Sequence, residues 1–318
     1  MGLRERVEQA RRAHPFFRLG VPIFCAVYLV AVKAVGGLGP EHIALVVIVL
    51  GFAFWSDRSR KLARIAYAFL LWALVYDSMR WYADYIRSPV IHLREPYSFD
   101  LRFFGIHTPR GDLTPNEYLQ IHTSKVLDLL CGLAYTPFFF IGESVVLALY
   151  LFFKGQTRLA ERFAWVFVWS NFIGFSLYYI YPAAPPWYVA AHGFVADLSV
   201  HASPAGALRF DKLVGLPIMQ GFYGKSADVF GAIPSLHVVY PMLALIYGFR
   251  LPRFRIVAVA YFVLVCFSAV YLDHHYLIDL FVGWVDALLV MAVFRMLFGP
   301  VETAAETSPQ PEPDRVPA

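Results

Sequence analysis

The stretch RIVAVAYFVLVCFSAVYLDHHYLIDLFVGWVDALLVMAVF, residues 255–294, contains two long apolar blocks separated by the polar tripeptide Asp273-His274-His275. A helix of about 20 apolar residues crosses a bilayer hydrocarbon core of roughly 30 Å. We therefore predict two membrane-spanning helices, near residues 255–273 and 276–297, with a short polar junction at one membrane surface.

The same pattern recurs along the chain. Its 318 residues are 59% hydrophobic and only 16% charged, with a mean hydropathy of +0.56, whereas soluble domains are about 25% charged. Further apolar blocks lie near 17–37, 41–55, 62–82, 126–153, 162–181 and 236–250, of which 41–55 is close to the lower length limit for crossing. The predicted fold is an all-α polytopic membrane helix bundle with about eight transmembrane helices. The net charge of +4 requires no nucleic-acid partner.

Charge predicts the orientation. Short segments near residues 58–64, 154–162 and 250–255 are densely basic, and the positive-inside rule places them, with both termini, in the cytoplasm. The two long segments, 83–125 and 182–232, then share the outer face, where we expect the active site.

This topology predicts five regions: a basic interfacial segment 1–16, three accessory transmembrane helices within 17–82, an outer-face interfacial segment 83–125, a helical core 126–297, and a disordered cytoplasmic tail 298–318. Segment 83–125 has two interpretations: it covers the site and guides lipids, or it only packs between helices.

A second stretch, GAIPSLHVVYP at residues 231–241, begins another apolar block with helix-breaking and polar residues. Pro234 suits the first turn of a helix, where its missing N–H is not needed. The free N–H groups at such a helix start attract phosphate. His237 would lie in the first turn, within reach of a bound phosphoryl group.

His275 and Asp279 are spaced i, i+4, so on a helix they share one face. A carboxylate on one ring nitrogen of His275 fixes the tautomer and leaves the other nitrogen free to react. Because His237 and His275 both begin spans at the outer face, we predict that they meet there. His275 would attack phosphorus and form a phosphohistidine, while His237 protonates the leaving group and later activates the acceptor.

A metal site is the competing interpretation of Asp273, His274, His275 and Asp279. His274 and His275 are adjacent and would point to different helix faces, so they cannot easily ligate one ion. We therefore predict no metal and no cofactor, and we expect His274 to lie at the membrane interface.

The Pro-Ser-x-His element at 234–237 and the Ser-x6-His-x3-Asp element at 268–279 resemble the second and third motifs of the type 2 phosphatidic acid phosphatase superfamily. The resemblance implies a six-helix catalytic core at roughly residues 126–297, a nucleophilic His275 and an acidic His237. FGAIPSLH (230–237), YLDHHY (271–276) and YPAAPPWY (181–188) are further similar to motifs of inositol phosphorylceramide synthases and related lipid phosphotransferases, which move a phospho-headgroup from one lipid to the hydroxyl of another.

Two departures from the phosphatase pattern bear on the substrate. No Lys-x6-Arg-Pro first motif is present, and Ala269 stands where a phosphatase has Arg after the motif-three Ser. Fewer cations suit a phosphodiester, with one negative charge, better than a monoester with nearly two.

Candidate phosphate ligands are the hydroxyls of Ser235 and Ser268 and the ammonium of Lys225. Each has a plain structural alternative: a helix cap, a bond within its own helix, and an ordinary loop cation, respectively. Tyr181, Pro185 and Trp187 are candidates for a wall of the headgroup pocket, or else for an interfacial belt that ends a helix.

The leading hypothesis is a membrane lipid phosphotransferase that takes an inositol-phosphate-like headgroup from a phospholipid donor to a hydroxyl-bearing lipid acceptor. The alternative is a lipid phosphate or isoprenyl diphosphate phosphatase with the same His/His/Asp site. A transporter or binding protein that keeps the fold without catalysis is the third class, and the intact His237, His275 and Asp279 count against it. The sequence leaves the oligomeric state open.

Overall fold

The computed structural model describes residues 19–35, 38–109, 111–224 and 228–300. The helices in these ranges are α1 Val21–Val35, α2 Pro40–Trp55, α3 Asp57–Ile86, α4 Arg94–Phe104, α5 Pro115–Ile121, α6 Lys125–Ala134, α7 Pro137–Phe140, α8 Gly142–Phe153, α9 Thr157–Ile180, α10 Pro186–His192, α11 Leu208–Val214, α12 Ile218–Tyr223, α13 Leu236–Gly248, α14 Arg255–Tyr271 and α15 Leu277–Phe298. The predicted basic segment 1–16 and almost all of the predicted tail 298–318 lie outside the described residues.

One short hairpin departs from the all-α prediction. Strands β1, Ile106–Thr108, and β2, Gly111–Leu113, pair antiparallel with Ile106 opposite Leu113. Gly111 supplies a positive φ of 115° at the start of the second strand, a conformation that costs glycine little.

The chain divides into two compact units, residues 1–70 and 71–318. In the first unit, α1, α2 and the start of α3 pack through a small apolar cluster that includes Val21, Cys25 and Ala53. The hydroxyl of Tyr67 donates to the carbonyl of Val49 at 3.2 Å, which ties α3 to α2.

Four described helical segments are long and apolar enough to cross a membrane: Asp57–Met79, Thr157–Ile180, Pro252–Tyr271 and Leu277–Phe298. Many of their large apolar side chains are exposed, including Ile256 and Met296, as expected where lipid replaces water. The protein is therefore an integral membrane protein built from helices. Helices α1, α2 and α13, which fall within three predicted spans, are shorter, at 15, 16 and 13 residues.

The predicted span 126–153 is not one helix. It is divided into α6, α7 and α8, and the axis bends by 42° at the break after Ala134. Pro137 begins α7, and a proline disfavours the α conformation in the residue before it. The interruption places Tyr135 beside the histidines described below.

The core of the second unit lies between α6, α11, α12, α13, α14 and α15. The buried amide of Asn171 in α9 is paired: its oxygen accepts hydrogen bonds from Trp72, at 2.8 Å, and from Tyr240, at 2.6 Å. Pairing of this kind offsets the cost of burying an amide away from water.

Candidate active site

His237 lies in the first turn of α13, as the sequence predicts. The helix begins at Leu236 with Ser235 as N-cap, so the prediction that Pro234 occupies the first turn is wrong by two residues. The N–H of Ser235 donates to the carbonyl of Asp279 at 2.9 Å. This bond joins the start of α13 to the first turn of α15.

His275 lies in the short loop between α14 and α15. Asp273 reverses the chain there with a φ of 66°, a left-handed conformation that aspartate adopts more readily than most residues. The N–H groups of His274 and His275 then both donate to the carbonyl of Ala269 at 3.1 Å. Because α15 begins only at Leu277, His275 and Asp279 do not share one helix face, which corrects that detail of the prediction.

The predicted contact between His275 and Asp279 nevertheless forms. Nδ1 of His275 lies 3.3 Å from Oδ2 of Asp279 and 3.1 Å from the carbonyl oxygen of Ala232. Both oxygens can only accept, so Nδ1 carries the proton and Nε2 carries the lone pair. Asp279 is fully buried, and its Oδ2 also accepts the N–H of Tyr276 at 2.9 Å.

The free nitrogen of His275 points at the second histidine. Its Nε2 lies 3.3 Å from Nδ1 of His237, so the structure brings together His237, His275 and Asp279. The carboxylate of Asp279, the imidazole of His275 and the imidazole of His237 thus form a row. The lone pair on Nε2 of His275 lies at its centre and can act as a nucleophile.

The side chain of His274, expected at the membrane interface, is buried within the protein. It is 5% exposed and stacks on Tyr135 and on Tyr223, with ring centroids 5.4 Å and 4.5 Å away. Tyr135 also stacks on His237, with ring centroids 4.4 Å apart. Nε2 of His274 bonds the carbonyl of Pro204 at 3.1 Å. Burial, with a contribution from neighbouring His275, lowers the pKa of His274 to about 3, so its ring is neutral at physiological pH.

The two histidines line a cavity of about 350 Å³. Most of its wall is aromatic or aliphatic, and among the residues described there, none of the side chains lining it is a lysine or an arginine. Asp228 is the carboxylate on this wall. Its Oδ1 accepts the N–H of Phe230 at 2.9 Å and lies 3.7 Å from Arg87, while burial raises its pKa.

Residues 181–185 of the YPAAPPWY stretch pass beside the site as non-helical chain, and Pro186 begins α10. Ala183 forms parallel bridges with His92 on one side and Gly231 on the other, and the N–H of Trp187 donates to the carbonyl of Asp273 at 3.1 Å. Pro185 and Trp187 line the cavity. Tyr181 does not line it and instead stacks on His92, with ring centroids 3.7 Å apart.

The three candidate phosphate ligands have different surroundings. The hydroxyl of Ser235 is fully buried and has no hydrogen-bond partner in the part of the chain that the structure describes. Ser268 donates to the carbonyl of Leu264 at 2.6 Å within its own helix and does not line the cavity. Lys225 lies outside the described residues.

Segment 83–125 contributes polar contacts that the sequence did not identify. Asp100 of α4 accepts the N–H groups of Leu277 and Ile278 at the start of α15. Asn116 of α5 donates to the carbonyls of Val270 and His275. No local signal predicts these partners, because more than 150 residues separate each pair. The segment therefore packs against the loop that carries His275.

A metal site was the competing interpretation of the acidic and histidine residues. Within the described ranges, no group of three or more His, Cys, Asp or Glu side chains is arranged to hold a metal ion. His274 and His275 point to different partners, Pro204 and Ala232 respectively.

The helix bundle thus carries two paired histidines at the wall of an apolar cavity. The model of the PAP2 superfamily, which is the type 2 phosphatidic acid phosphatase superfamily, matches residues 113–293. The chain belongs to this superfamily, in the branch similar to inositol phosphorylceramide synthases. It is an enzyme of lipid phosphoester chemistry.

Three relatives define that branch. The chain is 35% identical over 281 residues to the phosphoinositol dihydroceramide synthase of Bacteroides thetaiotaomicron, covering 87% of this chain and 91% of that protein. It is 38% identical to the inositol phosphorylceramide synthase of Candida albicans, over 58% of this chain and 39% of the relative. It is 30% identical to the inositol phosphorylceramide synthase catalytic subunit AUR1 of Saccharomyces cerevisiae, over 79% and 61%.

The chain thus spans most of the bacterial relative and less than two thirds of the two fungal ones. Among solved structures, none matches this fold significantly.

Proposed function

We propose that the protein transfers an inositol-phosphate-like headgroup from a phospholipid to the hydroxyl of a ceramide-like lipid, with His275 as nucleophile. One observation carries the proposal: the lone pair on Nε2 of His275 faces His237 at 3.3 Å, while Asp279 holds the opposite ring nitrogen. This arrangement offers a nucleophile and a proton donor to the same phosphorus atom.

The reaction has two balanced steps. Nε2 of His275 attacks phosphorus, the bond from phosphorus to the diacylglycerol oxygen breaks, and the imidazolium of His237 gives its proton to the departing alkoxide. The acceptor hydroxyl then gives a proton to His237, its oxygen attacks phosphorus, and the bond from phosphorus to nitrogen breaks. Both histidines return to their starting protonation states.

The phosphoryl oxygens would be held at the start of α13. The first N–H groups of a helix have no partner within the helix and carry partial positive charge. Leu236 and His237 lie in this first turn and line the cavity. The buried hydroxyl of Ser235, the N-cap residue, does not itself line the cavity.

The charge of the cavity favours a diester substrate. None of its described lining residues is a permanent cation. A phosphodiester headgroup with a single charge is therefore favoured over a monoester. This argument supports transfer over phosphatase activity.

The named relatives guide the choice of substrates. A phosphoinositol dihydroceramide synthase that matches this chain over 91% of its own length supports an inositol-phosphate donor and a long-chain amide acceptor. The cavity wall includes the apolar side chains of Trp72, Phe175 and Leu236, which suit contact with lipid chains.

The membrane arrangement follows from the distribution of charge. We place both termini in the cytoplasm and the site at the outer face, with residues 126–297 as the catalytic core. In this arrangement α1, α2, α13 and the bent segment α6–α8 cross the bilayer in addition to the four long helices, which gives eight spans. The exposed apolar side chains of α1 and α2, such as Val30 and Val47, favour contact with lipid.

A single assay tests the function. The detergent-solubilised protein is given labelled phosphatidylinositol with ceramide, dihydroceramide or diacylglycerol, and products are identified by mass spectrometry. We expect a labelled phosphoinositol-sphingolipid that disappears in His275→Ala. Rapid release of inorganic phosphate from phosphatidic acid without use of the diester would contradict the proposal, as would full turnover by His275→Ala.

A further inference from the structure

Asp100 provides an unusual cap for the helix that follows His275. Its side chain is fully buried, Oδ2 accepts the N–H of Leu277 at 2.7 Å, and Oδ1 accepts that of Ile278 at 3.1 Å. These are the first two residues of α15, whose N–H groups have no partner within the helix. The cap comes from α4, 177 residues earlier in the chain.

The carboxylate of Asp100 affects how Asp279 is used. Asp279 is the third residue of α15, a position from which an acidic side chain commonly bonds the backbone at the helix start. Its Oδ2 accepts the N–H of Tyr276 and lies beside His275. Because Asp100 satisfies Leu277 and Ile278, these two N–H groups do not compete for the carboxylate that orients His275.

Asn116 holds the other side of the same loop. Its Nδ2 donates to the carbonyls of Val270 and His275, both at 3.0 Å. Asn116 is placed by a reciprocal cap at the start of α5, where Thr114 and Glu117 bond each other's backbone N–H groups. The amide therefore links the last turn of α14 to His275 from a fixed position.

We infer that Asp100 and Asn116 are positioning residues that hold the backbone on both sides of His275, so that its Nε2 faces His237. The inference rests on the proposed function in taking His275 as the reacting group. It gives segment 83–125 a role in catalysis through its contacts with the loop.

The alternative is that the two side chains contribute only to stability. A purely structural contact changes the amount of folded protein, whereas a positioning contact changes the rate of each folded molecule. A displacement of about 1 Å at a reacting group can reduce the rate by about 10²-fold. A loss confined to the transition state lowers kcat and kcat/KM together and leaves KM unchanged.

The pH profile provides a second distinction. Burial, with a smaller contribution from nearby Asp279, raises the pKa of Asp100 to about 6, while its bonds from Leu277 and Ile278 act in the opposite direction. Above this pKa both oxygens accept; below it, one oxygen carries a proton that faces a backbone N–H. We therefore expect kcat to fall as the pH drops through about 6.

Ionisable groups on α4 and on the two elements that pack against it, α5 and α15, can also affect the acid side of the profile. Those on α4, on α5 and at the start of α15 are Arg94, Glu95, Tyr97, Arg102, Glu117, Tyr118, Tyr276 and Asp279. All of them remain in an Asp100→Asn variant. A change in the acid limb between the two proteins thus reports on Asp100.

The experiment compares Asp100→Asn and Asn116→Asp with the matched control Asp112→Asn, which lies in the same segment but is exposed and pairs with His107. Headgroup transfer from labelled phosphatidylinositol is measured per molecule that retains a native thermal unfolding transition in detergent. We expect kcat to fall at least tenfold in both test variants, with KM within twofold of the wild type. Asp112→Asn should match the wild type, and Asp100→Asn should lose the acid limb near pH 6.

The inference is overturned if kcat per folded molecule stays within threefold of the wild type in Asp100→Asn. It is also overturned if lost activity follows lost folded protein and the pH profile is unchanged. If Asp100→Asn does not fold, Asn116→Asp decides by the same kinetic criteria. Absence of any transfer product from the wild type would instead contradict the proposed function.

Discussion

Nδ1 of His237 lies 3.3 Å from Nε2 of His275, although 38 residues and the whole of α14 separate the two side chains. The contact depends on α13 and α15 starting side by side, joined by the bond from the Ser235 N–H to the Asp279 carbonyl. The two rings can therefore act on one phosphoryl group only while these helix starts keep their spacing.

Asp279→Asn should reduce kcat by about 10²–10⁴-fold, because an amide can donate to Nδ1 of His275 and favour the wrong tautomer. The measurement is headgroup transfer at saturating donor. Asp286→Asn is the matched control: Asp286 is buried on the same helix, and neither of its carboxyl oxygens bonds any described residue. It should stay within threefold of the wild type. Equal losses in both variants would remove Asp279 from its proposed role.

His237→Gln should impair a lipid donor more than a donor with an easily expelled leaving group. Protonation of a diacylglycerol alkoxide by a positioned acid contributes about 10²–10⁴-fold, whereas a nitrophenolate leaves without a proton. We expect a loss of that size with phosphatidylinositol and a loss of less than tenfold with an aryl phosphodiester of the same headgroup, measured by release of the nitrophenolate. An equal loss with both donors would contradict an acid role.

The candidate catalytic residues are easier to predict from the sequence than the positions at which the helices around them begin. His237, His275 and Asp279 were identified from spacing and topology, and they lie together. The helix starts were misplaced: Pro234 precedes the N-cap of α13, and His275 precedes that of α15. The apolar pattern of the sequence indicates roughly how long a helix is. The first turn of the helix is instead fixed by hydrogen bonds from elsewhere in the fold, here to Asp279 and Asp100.

Three further features of the structure are not predicted by the sequence, for related physical reasons. The apolar block 126–153 suggested one span, because hydropathy does not register a 42° bend in a continuous apolar run. His274 is polar at a predicted membrane surface, yet stacking on Tyr135 and Tyr223 buries it. Asp100 and Asn116 could not be assigned partners, since those partners are backbone groups that become available only after α14 and α15 have formed.

His274 should make the folded protein sensitive to acid. Its pKa is about 3 when folded and about 6.5 when unfolded, so between these values the unfolded chain binds more protons and stability falls as the pH drops. At pH 5 the difference amounts to about 2 kcal/mol. The thermal midpoint of His274→Gln should therefore decrease less between pH 7.5 and pH 5 than that of the wild type. His201→Gln, at an exposed position, should behave like the wild type; identical pH dependence in all three proteins would contradict the prediction.

Gly283→Ala should disturb the spacing of the two helix starts. A Cβ at this position would lie 2.6 Å from the carbonyl oxygen of Ser235 and 3.1 Å from Cγ2 of Val238, so α13 and α15 would have to move apart. Overpacking of this kind costs about 1–3 kcal/mol. Because the displaced helices carry His237 and Asp279, we expect kcat per folded molecule to fall about tenfold, together with a lower thermal midpoint.

Gly248→Ala is the matched control for this variant. Gly248 ends α13, and among the described residues no atom beyond its chain neighbours and its own helix backbone lies within 4 Å of a Cβ added there. Alanine in a helix is favoured over glycine by about 0.5–1 kcal/mol, so this variant should be as stable as the wild type or slightly more so, with unchanged kcat. If Gly283→Ala retained full activity per folded molecule, the distance between the two helix starts would not control catalysis, and the opposition of His237 and His275 would have to be maintained by the loop contacts alone.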